Sequence, residues 1–185
     1  MSTITLHNKS FVPYIKEETI LKRVKELAKQ IESDYKQESP ICLGVLTGGY
    51  VFIADLTRKI NTPVQVVFVK MSSYSGTQSV GSIDWQLSVP DLVTNKHVLV
   101  IEDIIDTGLS MQHLLLALEV KKPKSVKIAT LLYKPDALQY PIKPDYVGFS
   151  IPKAFVVGYG LDYDGLGRHL PELYVLQKEV EAGKA

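Results

Sequence analysis

Residues 98–110 read VLVIEDIIDTGLS. A short apolar run leads into two adjacent carboxylates, Glu102 and Asp103. Two apolar residues follow, and then Asp106, Thr107, Gly108, Leu109 and Ser110 open a new apolar pattern. Hydroxyls with a glycine at a helix start form an anion cradle. The first backbone N–H groups of a helix lack intrahelical partners, and its dipole adds positive potential there. Gly108 lets the backbone approach a phosphate closely. Glu102 and Asp103 would repel a bare phosphate, so they suit other work: accepting hydrogen bonds from vicinal hydroxyls, or facing a hydrated Mg²⁺. One ligand with a phosphate, a diol and a metal-bound anion uses every group.

The elements around this stretch alternate between helical and strand periods. Leu21, Val24, Leu27, Ala28, Ile31 and Tyr35 fall at helical spacing, which predicts an amphipathic helix over 20–36. ICLGVL (41–46) is an apolar run, Gly48 and Gly49 break the chain, and 50–60 reads as a second helix. VQVVFVK (64–70) is a β-branched strand, and the polar, Ser/Gly-rich residues 71–83 read as a long loop or hairpin. HVLVI (97–101) suits a parallel strand covered on both faces. Met111, Leu114, Leu115 and Leu118 make a helix stripe stopped by Pro123, and SVKIATLLY (125–133) is another strand. Shorter strands are expected at 145–149, 154–157 and 172–177. This order predicts an α/β domain on a parallel sheet, with ligands outside the carboxyl ends of its strands. Lys134, just after 125–133, then stands at a ligand-bearing edge.

The chain has 185 residues, within the roughly 100–200 expected of one domain. Lys+Arg number 21 against Asp+Glu at 20, so bulk attraction to nucleic acid is a poor expectation. The single cysteine, Cys42, excludes an internal disulfide. No apolar stretch reaches the about 18 residues of a membrane span, and MSTITLHNKSF lacks a signal-peptide pattern. These features predict a cytoplasmic protein without a membrane partner. His7, His97, His113 and His169 lack metal-ligand spacing and receive no catalytic role.

VLVIEDIIDTGLS closely resembles the 5-phosphoribosyl-1-diphosphate (PRPP) binding motif of the type I phosphoribosyltransferases. LTGGYVFIADL (46–56), SYSGTQSVG (73–81), YKPD (133–136) and PDYVGFSIPKAFVVGYGLDYDGLGR (144–168) resemble the hypoxanthine-guanine members of that family. The resemblance implies a parallel-sheet core flanked by helices (about 17–134). A small hood would form from the terminal segments (about 1–16 and 135–185). It implies that Thr107, Gly108, Leu109 and Ser110 hold the 5′-phosphate, with Glu102 and Asp103 on ribose hydroxyls or metal waters. Thr47, Gly48 and Arg168 would contact pyrophosphate, with a non-proline cis peptide at Thr47–Gly48. Many relatives carry lysine where this chain has Thr47, which removes a cation from that contact.

The same resemblance places Lys134 on the 6-oxo group of a purine, Phe155 as the ring that stacks on it, and Val156 as a main-chain reader of its edge. An ammonium only donates, so it suits an O6 acceptor and not adenine's amino group. Asp162 would lie near Mg²⁺ and the base, and Ser73 and Tyr74 would belong to a loop that closes over the site. Metal contacts are then expected from Glu102, Asp103 and Asp162. Asp106 is expected to act as general base on purine N7. The activity implied is purine salvage: a 6-oxopurine and PRPP give a nucleoside 5′-monophosphate and pyrophosphate with Mg²⁺. The family's habit implies a homodimer or homotetramer. Two alternatives stand beside this: an inactive nucleotide-sensing regulator of the same fold, and an enzyme preferring xanthine or another base.

Overall fold

The computed structural model describes residues 2–36, 38–73 and 83–177. In chain order these form β1 (Ile4–Leu6), β2 (Lys9–Ile15), α1 (Glu17–Tyr35), β3 (Ile41–Leu46), α2 (Tyr50–Thr57), β4 (Gln65–Ser73) and β5 (Ile83–Leu87). There follow β6 (His97–Ile105), α3 (Leu109–Lys121), β7 (Ser125–Tyr133), β8 (Tyr146–Ser150), β9 (Val156–Val157) and β10 (Leu173–Leu176).

The larger sheet runs β5-β4-β3-β6-β7-β8, parallel throughout except for the antiparallel β4–β5 pair. Strand pleating splits its apolar residues between two layers. Leu99 and Ile101 of β6 join Cys42 and the buried faces of α1 and α2 on one side. Val98 and Val100 join Leu43, Val45 and the α3 stripe Met111, Leu114 and Leu118 on the other. Both faces of β3 and β6 are thus covered, which is why their sequences are continuous apolar runs rather than alternating ones. On α1 the buried stripe starts at Ile20, with Leu21 only partly covered, because the helix begins at Glu17. The second helix ends at Thr57, where the Thr57 hydroxyl donates to Ile53 O at 2.7 Å, and 58–60 form a turn.

A smaller antiparallel sheet, β1-β2-β10-β9, gathers the two ends of the chain. It packs through Val12, Ile15, Val156, Leu173 and Val175 onto the α1–α2 side of the core. The expected core boundary near 134 is corrected. YVGFS forms β8 on the edge of the large sheet, so that sheet reaches Ser150. Its place is set from outside the strand, by Arg23 of α1. The Arg23 guanidinium donates to Val147 O at 2.7 Å and Gly148 O at 3.0 Å.

β6 also runs further than expected. Its ladder with β7 continues through Glu102 opposite Thr130 to Ile105 opposite Tyr133, so the two carboxylates lie inside the strand. Acidic residues are depleted in strands, so their chemistry hid the strand's length. The polar segment 71–83 is partly strand too: β4 reaches Ser73 and β5 begins at Ile83.

Candidate active site

β3, β6 and β7 end at Leu46, Ile105 and Tyr133 along one edge of the sheet. The next residues are Thr47, Asp106 and Lys134, and all three line one cleft of about 420 Å³. Lys134 N donates to Ile105 O at 3.0 Å, which ties the ends of β6 and β7 together. The Lys134 side chain, only 9% exposed, donates from Nζ to Asp106 Oδ2 at 2.6 Å. Its ammonium and the Asp106 carboxylate therefore form one unit in the ligand-free chain. Spacing 28 residues apart offered no sign of it.

Glu102 and Asp103 are buried in the floor of the cleft. Asp103 Oδ1 accepts from Ile104 N at 2.8 Å, and Glu102 Oε1 from Asp103 N at 3.3 Å. Burial, reinforced by the Asp103 charge, holds the Glu102 carboxyl well above the usual carboxylate range. Burial raises Asp103 as well, offset in part by hydrogen bonds and by the Arg168 charge. A carboxyl raised in the folded state keeps a proton that the unfolded chain releases above about pH 4.3. Ligand-free stability therefore falls as pH rises from there through the raised folded value. Glu102→Gln, neutral at every pH, is expected to flatten that fall. At pH 8 it should raise the thermal midpoint of the ligand-free protein by about 2–4 °C, the shift 1 kcal/mol produces at this size. Scanning calorimetry at pH 5 and pH 8 checks it, and a lowered midpoint at pH 8 refutes it.

The cradle from Asp106 to Ser110 forms at the start of α3. Gly108 takes φ +85° and caps the helix without a side-chain bond. The first helical bond is Gln112 N to Gly108 O at 2.9 Å, so the preceding amides have no helical partner, and Leu109 N donates to Thr107 Oγ1 at 3.4 Å instead. Thr107 O accepts from Gln139 N at 2.9 Å and Tyr140 N at 3.3 Å, pinning the loop from behind. Thr107, Gly108, Leu109 and Ser110 all line the cleft.

On the opposite wall stand Thr47 and Gly48. The expected cis bond at Thr47–Gly48 is corrected: Leu46–Thr47 is cis instead, directly after the last residue that β3 pairs with β4. A Cβ on Gly48 would overlap the Asp103 carboxylate. Arg168 arrives from the hood, with Nη1 donating to Gly160 O at 2.8 Å and Nη2 pairing with Asp162 Oδ1 at 2.7 Å. Asp162 Oδ2 accepts from Gly165 N at 2.7 Å, so both its oxygens are engaged.

Phe155 and Val156 complete the rim. Phe155 is 37% exposed and stands edge-to-face with Tyr163 at 5.7 Å and 87°. Lys9 Nζ lies 4.4 Å from the Tyr163 ring centroid and 5.3 Å from that of Phe155. Val156 is buried in β9 opposite Val175. The structure thus brings together every expected site residue except two. Ser73 is the last residue of β4, and Tyr74 lies outside the described residues. Met71 and Leu161 also line the cleft and went unnoticed in the sequence. Met71's position at the end of a parallel strand was the available signal.

The phosphoribosyl transferase domain family matches residues 14–164. The chain belongs to that family. Among its relatives, the hypoxanthine-guanine phosphoribosyltransferase of Bacillus subtilis is 44% identical over 167 residues, covering 90% of this chain and 93% of that protein. The Aquifex aeolicus protein of the same name is 44% identical over 165 residues, covering 88% and 93%. A crystal structure of a hypoxanthine-guanine phosphoribosyltransferase from Bacillus anthracis, with HEPES in its active site, aligns at TM-score 0.84 and 40% identity, covering 89% of this chain and 97% of that one. As a phosphoribosyltransferase of type I fold, the chain is an enzyme.

Proposed function

We propose that this phosphoribosyltransferase converts hypoxanthine or guanine and PRPP to IMP or GMP and pyrophosphate in purine salvage. The convergence of three devices in one cleft carries this reading: the 106–110 cradle, the buried Glu102–Asp103 pair, and the Lys134–Asp106 unit beside Phe155. The amides at the start of α3, with the Thr107 and Ser110 hydroxyls, hold the 5′-phosphate. Glu102 and Asp103 accept from the ribose hydroxyls. Thr47, Gly48 and Arg168 receive the pyrophosphate. Arg168 has five N–H donors and uses two on Gly160 and Asp162, which leaves the rest for phosphate oxygens. Asp162, with both oxygens occupied, serves chiefly to hold Arg168 in place.

The base stacks on Phe155, with its edge read by the main chain at Val156. Lys134 has three donors; one remains on Asp106 while another reaches O6. In the forward reaction N9 bonds to ribose C1, the C1–O bond to pyrophosphate breaks, and the N7 proton passes to Asp106. Positive charge develops on the sugar as that bond breaks, so the chain's task is alignment and charge stabilisation rather than covalent attack.

Two adjacent buried carboxyls whose charges oppose one another fit a divalent cation, which would offset both the burial and the repulsion. Among the described residues no group of three or more His, Cys, Asp or Glu could hold a metal. Mg²⁺ suits this, because it takes one or two carboxylates and completes its shell with water and substrate oxygens. Glu102 and Asp103 would hold it, and when bound it offsets charge on the departing pyrophosphate. The active form is a homo-oligomer, dimer or tetramer. Its support is the exposed apolar pair Val66 and Phe68, on one face of β4. Among the described residues no helix is long and apolar enough to cross a membrane, and the enzyme acts in the cytoplasm.

A spectrophotometric assay with PRPP and Mg²⁺ against hypoxanthine, guanine, xanthine, adenine and uracil tests the reading. IMP and GMP form, and adenine turns over at least about 100-fold more slowly, because the buried ammonium has no acceptor for its amino group. Nucleotide formation from adenine alone, or from no purine, overturns the assignment.

A further inference from the structure

From the contacts between hood and core we infer that Tyr159 and Asp55 are positioning residues that set the pyrophosphate pocket, one from the hood and one from α2. This rests on the reading of Thr47, Gly48 and Arg168 as that pocket. Tyr159 is 3% exposed, and its backbone takes φ +48°, a conformation a bulky side chain rarely adopts. Its hydroxyl donates to Asp55 Oδ2 at 2.6 Å, and its amide to Leu170 O at 2.8 Å. Asp55 lies on α2, the helix that opens directly after Gly48 and Gly49. The residue after Tyr159 is Gly160. Its carbonyl accepts from Arg168 Nη1, and its amide donates to Arg168 O at 3.0 Å. A Cβ on Gly160 would overlap the carbonyl oxygen of Gly48, so the two loops meet backbone to backbone. A second strut runs the same way: the Tyr50 hydroxyl, at the start of α2, donates to Arg168 O at 3.3 Å.

The consequence is mechanical. Arg168 and Gly48 are 120 residues apart in sequence. Their spacing is set where the hood loop is clamped to α2, and the Tyr159–Asp55 bond is the partly buried, charge-assisted part of that clamp. Loss of the bond lets the 158–168 loop ride away from the 47–49 loop. Lys134, Asp106 and the α3 cradle should keep their places, because among the described residues their hydrogen bonds and ion pairs do not run to Tyr159 or Asp55.

Steady-state kinetics on Tyr159→Phe, Asp55→Ala, Asp55→Asn and the Tyr159→Phe/Asp55→Ala double variant test this. Product inhibition by pyrophosphate and thermal midpoints are measured alongside. Tyr159→Phe and Asp55→Ala should each raise KM for PRPP and the inhibition constant of pyrophosphate about tenfold, the worth of a hydrogen bond to a charged acceptor. KM for hypoxanthine should stay within about twofold. The double variant should match either single rather than their product, because both remove one bond. Asp55→Asn keeps an acceptor oxygen but loses the charge and should fall between the parent and Asp55→Ala. A purely structural role would move all three constants together with the midpoint, and that result overturns the inference. So does an unchanged PRPP KM in Tyr159→Phe. Absence of turnover in the parent protein would instead sink the reading of the reaction itself.

Discussion

Asp106→Asn lowers the rate of nucleotide formation by about 10²–10⁴-fold, the usual worth of a positioned general base. It leaves the dissociation constant for IMP within about threefold of the parent. Asn has the size of Asp and keeps a carbonyl oxygen to accept from Lys134, which now sits 2.6 Å from Asp106 Oδ2. The buried ammonium stays bonded, so the base pocket keeps its shape. Only the capacity to take a proton is lost. Asp106→Leu separates the two roles. It removes the acceptor and leaves a 9% exposed lysine side chain at position 134 without its partner. That variant should lose base affinity and stability as well as rate, by about 1–3 kcal/mol. Single-turnover measurements decide the matter, because product release limits many steady-state rates and can mask a slowed chemical step. A single-turnover rate within threefold of the parent in Asp106→Asn removes Asp106 from proton transfer.

Gly48→Ala should be nearly as damaging, through space rather than chemistry. A methyl group there occupies the position of the Asp103 carboxylate. Asp103 is buried and held through Oδ1 by Ile104 N, so it cannot swing away without breaking that bond. The 47–49 loop has to lift instead. PRPP turnover is expected to fall at least about 100-fold, since a displacement of about 1 Å can cost that much. The thermal midpoint should drop by an amount equivalent to about 1–3 kcal/mol of overpacking. Asp103→Ala tests the cause. In that background the methyl has room, and Gly48→Ala should no longer lower the midpoint, although activity stays low because Asp103 is gone. A midpoint penalty of equal size in both backgrounds would place the strain elsewhere.

The chemistry of residues 102–110 was legible before any coordinates, because it lies in one unbroken stretch. Two acids, a Thr-Gly-Leu-Ser helix start and an apolar strand before them state their business by local spacing alone. The apolar runs of β3, β6 and β7 were equally plain, since strands covered on both faces have to be hydrophobic at every position. Family resemblance added Lys134, Phe155, Val156, Asp162 and Arg168, which spacing alone would have left as a surface lysine, a core ring and an ion pair.

Other features were set by contacts between segments far apart in the chain. The sequence does not say that Lys134 reaches back to Asp106, that β8 joins the large sheet under the guanidinium of Arg23, or that the Tyr159 hydroxyl reaches Asp55 on α2. It also hides the true end of β6, because acids buried in a strand look locally like the loop that should follow it. Periodicity and turn chemistry are properties of neighbours, fixed by backbone sterics and solvent exposure over a few residues. Which side chains meet across the cleft is settled only when the whole core packs, and in this protein those meetings decide which groups the ends of the strands, α3 and the C-terminal loops present together.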